Sequence, residues 1–113
     1  MHEMSIAMSI VEIVTAKANE EHAEKINMIE IEIGSLAGVQ REALEFCMES
    51  ACKGTLADSA AVTIHELAAL ARCEECGYEF QPDFFFSRCS ECGGFRVKIV
   101  QGKELKIRSI NID

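Results

Sequence analysis

Two cysteine pairs carry the plainest chemistry in this sequence. Cys73 and Cys76 are two residues apart, as are Cys89 and Cys92, and twelve residues separate the inner members of the pairs. A C-x-x-C turn aims two sulfurs at one point, so two such turns supply a tetrahedral tetrathiolate site with metal–sulfur distances of about 2.3 Å. The glycines at 77 and 93 let the backbone turn back beneath the sulfurs. A redox dithiol needs one pair only, and four unrelated thiols do not account for matching spacings within twenty residues. Zinc is the expected ion, because it takes this geometry and needs no redox role. Iron remains its rival, since "CEECGY" has some likeness to a rubredoxin knuckle. Four thiolates leave no open coordination position, so the site is expected to be structural rather than catalytic.

A second ligand set stands at the start, "MHE". The amine of Met1, the backbone nitrogen of His2 and its imidazole are joined by short covalent paths, and Glu3 adds a carboxylate. Such a fused chelate suits square-planar Ni(II) or Cu(II). A bulky second residue hinders removal of the methionine, so the amine is expected to belong to Met1. On spacing alone, an ordinary terminus with a chance histidine is the favoured reading.

The remaining candidates read blandly. Cys47 and Cys52, five apart on a predicted helix, point in different directions and suit small core positions. His22 and His65 have no neighbouring ligand pattern. Tyr78, Phe80 and the run Phe84 to Phe86 could stack on bases, but beside Pro82 in so small a module they are read as its local core.

Composition narrows the classes. With 113 residues, 49% of them hydrophobic, the chain has enough for one core plus a small satellite. Nineteen acidic against eleven basic side chains give a net charge of −8, which repels a phosphate backbone or an anionic membrane. Nucleic acid and membrane are therefore not expected partners. No basic leader precedes an apolar run, and "LAALA" and "FFF" are too short to span a bilayer, so the cytoplasm is the expected compartment. In that reducing compartment clustered thiols more often hold metal than form disulfides.

Periodicity supplies the elements that position these residues. Ile6, Ile10 and Ile13, flanked by Ala7, Val11, Val14 and Ala18, predict a helix from a Ser5 cap to about residue 23. "INMIEIEIGS" switches to period two, predicting a half-buried strand with Ile29, Ile31 and Ile33 opposite Glu30 and Glu32. Val39, Ala43, Cys47 and Ala51 predict a second helix over 39–53, stopped by Gly54. "AVTIHELAALA" is read as a strand leading outward. "FRVKIV" and "ELKIRSINID" around "QGK" are read as a hairpin with a bulge near Ser109.

Taken in order, "MHEMS", "IEIGSLAGV", the double C-x-x-C module and "GKELKI" resemble, over essentially the whole chain, the HypA/HybF family of hydrogenase nickel-incorporation proteins. The resemblance implies an α+β protein. A small mixed α/β nickel-binding domain, two helices on a three-stranded sheet, would span 1–70 plus 103–113, with a zinc-ribbon domain inserted over 71–102. It implies a non-enzymatic metallochaperone with structural Zn(II) on Cys73, Cys76, Cys89 and Cys92. Ni(II) would be transient cargo on Met1 and His2, with Glu3 contributing. The implied partners are a HypB-type nickel GTPase and the [NiFe]-hydrogenase large subunit. Some members also support urease maturation, and a homodimer stays open. The zinc segment lacks histidine, so members in which histidine exchanges with zinc thiolates are a poor guide here. "QGKEL" lacks the rest of a phosphate loop, so GTP hydrolysis would belong to the partner. The alternatives are a zinc-ribbon module for nucleic acid or a transcription complex, and a small iron-thiolate electron carrier.

Overall fold

The computed structural model describes residues 2–82 and 88–113. The Met1 amine and the local core expected from Phe84 to Phe86 lie outside them. The elements follow in the order α1 (Glu3–Glu20), β1 (Ile26–Gly34), α2 (Arg41–Cys52), β2 (Ala61–Leu67), β3 (Leu70–Cys73), β4 (Glu79–Phe80), β5 (Val97–Gln101) and β6 (Leu105–Ile112). They form two sheets of three strands, ordered β2-β1-β6 and β4-β3-β5.

β1 is the centre of the first sheet because its alternation gives it two different faces. Ile29, Ile31 and Ile33 are buried beneath the helices, while Glu30 and Glu32 stand on the opposite face. β2 runs parallel to β1, a pairing that requires a crossover, and α2 provides it. β6 runs antiparallel along the other side of β1. Ile107 pairs with Ile31 and Ser109 with Glu30, which leaves Arg108 as the extra residue of the expected bulge.

The hairpin expectation fails. β5 pairs with β3, with Cys73 opposite Val97, whereas β6 pairs with β1. Each arm has a longer-range partner, and Gly102, at φ +122°, turns the chain from one sheet to the other. Two helix details also differ from expectation. α1 begins before Ser5, with His2 at its N-cap making no side-chain cap bond; the Ile6 N–H donates to the His2 carbonyl at 3.2 Å and closes the first turn early. α2 begins at Arg41 rather than Val39; its buried line is Leu44, Met48 and Cys52, with Cys47 and Ala51 packed half-buried beside it and Val39 joining the core from the preceding loop. Cys52 is thus a core residue, as its spacing suggested.

The two sheets meet where β1 ends. The Gly34 N–H donates to the Glu104 carbonyl (2.8 Å), Ser35 to Leu67 (2.9 Å) and Leu36 to Gly102 (2.7 Å). A Cβ on Gly34 would lie 2.0 Å from the Gly102 carbonyl oxygen, so no other residue fits. Gly34→Ala is expected to force these backbones apart and to cost about 3 kcal/mol, the upper range for overpacking, read as a lowered urea midpoint.

The open face of the first sheet is polar. Ser109 Oγ donates to Glu30 Oε2 (2.6 Å) and His65 Nε2 lies 3.1 Å from Glu30 Oε1. The Ser109 hydroxyl first, and then His65, holds the Glu30 carboxyl below its ordinary 4.5. A native carboxyl that gives up its proton more readily than the unfolded one stabilises the fold above the unfolded value, and this is lost as pH falls through the native one. Glu30→Gln is therefore expected to lower the urea midpoint at neutral pH, with the gap to the parent closing in acid. His22, also expected to be ordinary, is exposed in the turn after α1 at φ +56°. No helix among the described residues is long and apolar enough to cross a membrane.

Candidate metal centre

The second sheet carries the cysteines. Each C-x-x-C pair closes the same turn: Gly77 N–H donates to the Cys73 carbonyl and Gly93 N–H to the Cys89 carbonyl, both at 2.9 Å. Cys73 N–H then reaches the Tyr78 carbonyl (2.9 Å) and Cys89 N–H the Gly94 carbonyl (3.0 Å). Gly77 and Gly93 sit at φ +78° and +71°, the left-handed conformation that lets each turn close under its sulfurs.

The four sulfurs, which share one cluster, all lie within 4.8 Å of one another. Cys73 and Cys92 are 3.6 Å apart, as are Cys76 and Cys89. A tetrahedron with metal–sulfur bonds of about 2.3 Å has edges of about 3.8 Å, so the set fits a zinc-sized ion. Cys73 and Cys89 are buried and Cys76 and Cys92 exposed, which gives the site one solvent-facing side.

Cys76, Cys89 and Cys92 are moved from the ordinary thiol value by backbone N–H groups, burial and neighbouring sulfurs. The Cys92 and Glu91 backbone N–H groups help bring Cys89 down to about 7. Cys92 receives the Gly94 N–H, yet the Cys73 sulfur and burial push it up to about 12. Cys76 receives the Tyr78 N–H but is raised by burial and by Cys89. Four thiolates at this spacing coexist only around a cation. Next to them, the Glu75 carboxylate fills the space a Cβ on Gly94 would need. Tyr78 stacks on Phe80 with ring centroids 6.0 Å apart, and the Arg88 guanidinium lies 4.3 Å from the Phe95 ring centre.

On the helix-covered sheet's side, His2 is exposed with extended backbone at the start of α1 and lines a pocket with Leu105 and Ile107 of β6. Glu3 follows it in the first turn, and its Oε2 accepts the Gln40 N–H at 3.2 Å. That bond, ahead of smaller causes, holds the Glu3 carboxyl below its ordinary value. Nothing in the local sequence pointed to Gln40, because the contact joins residues 37 apart.

A family model described as hydrogenase/urease nickel incorporation, metallochaperone, hypA, matches residues 1–112. The chain belongs to the HypA family. It is 53% identical over 113 residues to the hydrogenase maturation factor HypA of Chlorobium luteolum, covering 100% of this chain and 97% of that protein. It is 52% identical to the factor of the same name from Chlorobaculum tepidum, with 100% of both chains covered. In fold it resembles the solution structure of the Ni metallochaperone HypA from Helicobacter pylori, with a TM-score of 0.70 at 24% identity over 99% of this chain and 97% of that one. A HypA match of this extent favours neither the nucleic-acid module nor the iron carrier.

Proposed function

We propose that this HypA-family protein carries Ni(II) and hands it over during [NiFe]-hydrogenase maturation. The family match from the first residue supports this reading, since it takes in the Met1–His2–Glu3 ligand set. The amine of Met1, the backbone nitrogen and imidazole of His2, and Glu3 as auxiliary form the cargo site. Structural zinc on Cys73, Cys76, Cys89 and Cys92 holds residues 71–102 as a ribbon domain, inserted in a nickel-binding domain of 1–70 plus 103–113. The protein acts in the cytoplasm, is not an enzyme, and works with a HypB-type GTPase and the hydrogenase large subunit. Two metal sites with separate duties are consistent with this division: the closed tetrathiolate has no place for cargo, and His2 is exposed.

The test is transfer. Nickel-loaded protein, mixed with nickel-free large-subunit precursor and separated from it, is expected to leave nickel in the precursor. A precursor that gains no nickel under conditions where free Ni(II) is incorporated would refute the reading.

A further inference from the structure

β6 is an edge strand. β1 pairs with one side of it, and among the described residues no strand pairs with the other. Above that edge α1 packs chiefly on α2 and leaves a groove of about 380 Å³ against β6. Ile6, Ile10 and Ile13 line its helix side, Leu105 and Ile107 its strand side, and His2 stands at one end. Ile13 is 57% exposed, although its helical phase places it with the buried stripe. On the open face of the sheet, β6 carries Lys106 and Arg108 and no acidic residue, in a chain of net charge −8.

We propose that the free edge of β6 takes up an extended segment of a partner protein in which apolar and acidic side chains alternate. Its apolar side chains enter the α1–β6 groove and its carboxylates meet Lys106 and Arg108.

The strand already on the other side of β6 shows which pattern fits. In β1, Ile31 and Ile33 stand in register with Ile107 and Leu105 on the helix side. Glu32 reaches Lys106 at 3.4 Å and Arg108 at 3.6 Å on the open side. A strand added at the opposite edge meets the same alternation from Leu105 to Arg108, before the bulge, because successive side chains there point to opposite faces. Lys106 and Arg108 remain 62% and 51% exposed, with donors to spare beyond Glu32. A second copy of this chain fits less well. Two-fold antiparallel pairing of β6 with itself sets these cations against their own counterparts, and like charges across strands repel. The inference does not depend on nickel, although a segment seated here would end beside His2.

The experiment uses the zinc-loaded full chain without nickel and, as probe, a fluorescein-labelled synthetic peptide with the sequence of residues 26–34. Saturable anisotropy binding is expected, with hydrogen-exchange protection gained along β6 and not along β2. Ile13→Glu, at an exposed position, is expected to weaken binding about tenfold or more by removing an apolar anchor and repelling the carboxylates. A peptide with lysine in place of both glutamates is expected to bind only the chain carrying Lys106→Glu and Arg108→Glu. Absence of binding to the parent chain, unchanged affinity in Ile13→Glu, protection on β2 instead, or self-association of the chain through β6 would each overturn the proposal.

Discussion

Cys89→Ser is expected to remove stoichiometric zinc and to unfold residues 71–102 while leaving the two helices and the β2-β1-β6 sheet in place. The ribbon sheet is small: β4 has two residues and β3 four. Of its residues, Ala71, Cys73 and Cys89 are among the few that are fully buried, and two of those are sulfur ligands. Little apolar burial remains once the ion is lost. A structural zinc site of this kind contributes about 10–16 kcal/mol of apparent binding free energy, and in so small a module that energy is folding energy. The helix-covered sheet has its own core, from Ala7 on α1 through Ile29 and Ile31 to Met48 on α2. Zinc analysis with NMR dispersion of the ribbon amides checks both halves of the expectation. Full occupancy with ordered ribbon signals would contradict it.

How far the sequence alone reaches is clear from particular residues. The period-two run at Ile29–Glu30–Ile31–Glu32–Ile33 identified β1 and its faces, since alternation is a property of the strand itself. The C-x-x-C spacing brought four sulfurs together because each pair closes its own turn. The false hairpin at "QGK" was a local signal outweighed by distant partners: β3 waits some thirty residues earlier for β5, and β1 for β6. The Ser5 cap lost to an earlier first turn, and helical phase could not tell Ile13 from Ile10, because burial depends on α1 leaning toward α2. The Gln40–Glu3 bond is likewise a product of packing. The lost hairpin, the exposure of Ile13 and the Gln40–Glu3 bond all depend on tertiary placement.

His2→Ala is expected to abolish tight nickel binding, whereas His22→Ala and His65→Ala leave it largely intact. In the proposed site the His2 imidazole closes one of the two fused chelate rings, and removing it leaves only the weaker pair of terminal amine and His2 backbone nitrogen. His22 is exposed in a turn and belongs to no cluster of metal-ligating side chains among the described residues, and His65 is engaged with Glu30 on the open sheet face. Glu3→Gln should weaken binding less, because in the proposed site the carboxylate is auxiliary, and it already accepts the Gln40 N–H. Protons compete for the amine and imidazole, so affinity should fall as the solution is made acidic. Copper should bind at least as tightly in vitro, since the divalent-metal order places it above nickel, and selectivity then rests with delivery.

The most direct test of the carrier reading is a nickel titration, by calorimetry with zinc retained, of the chain beginning at Met1 against the same chain extended by one residue at its amino end. The extension leaves His2, Glu3 and the fold untouched and removes only the amine from its chelate position. Tight one-to-one binding to the first and loss of that binding in the second is the predicted result; equal affinities would take the terminus out of the nickel site.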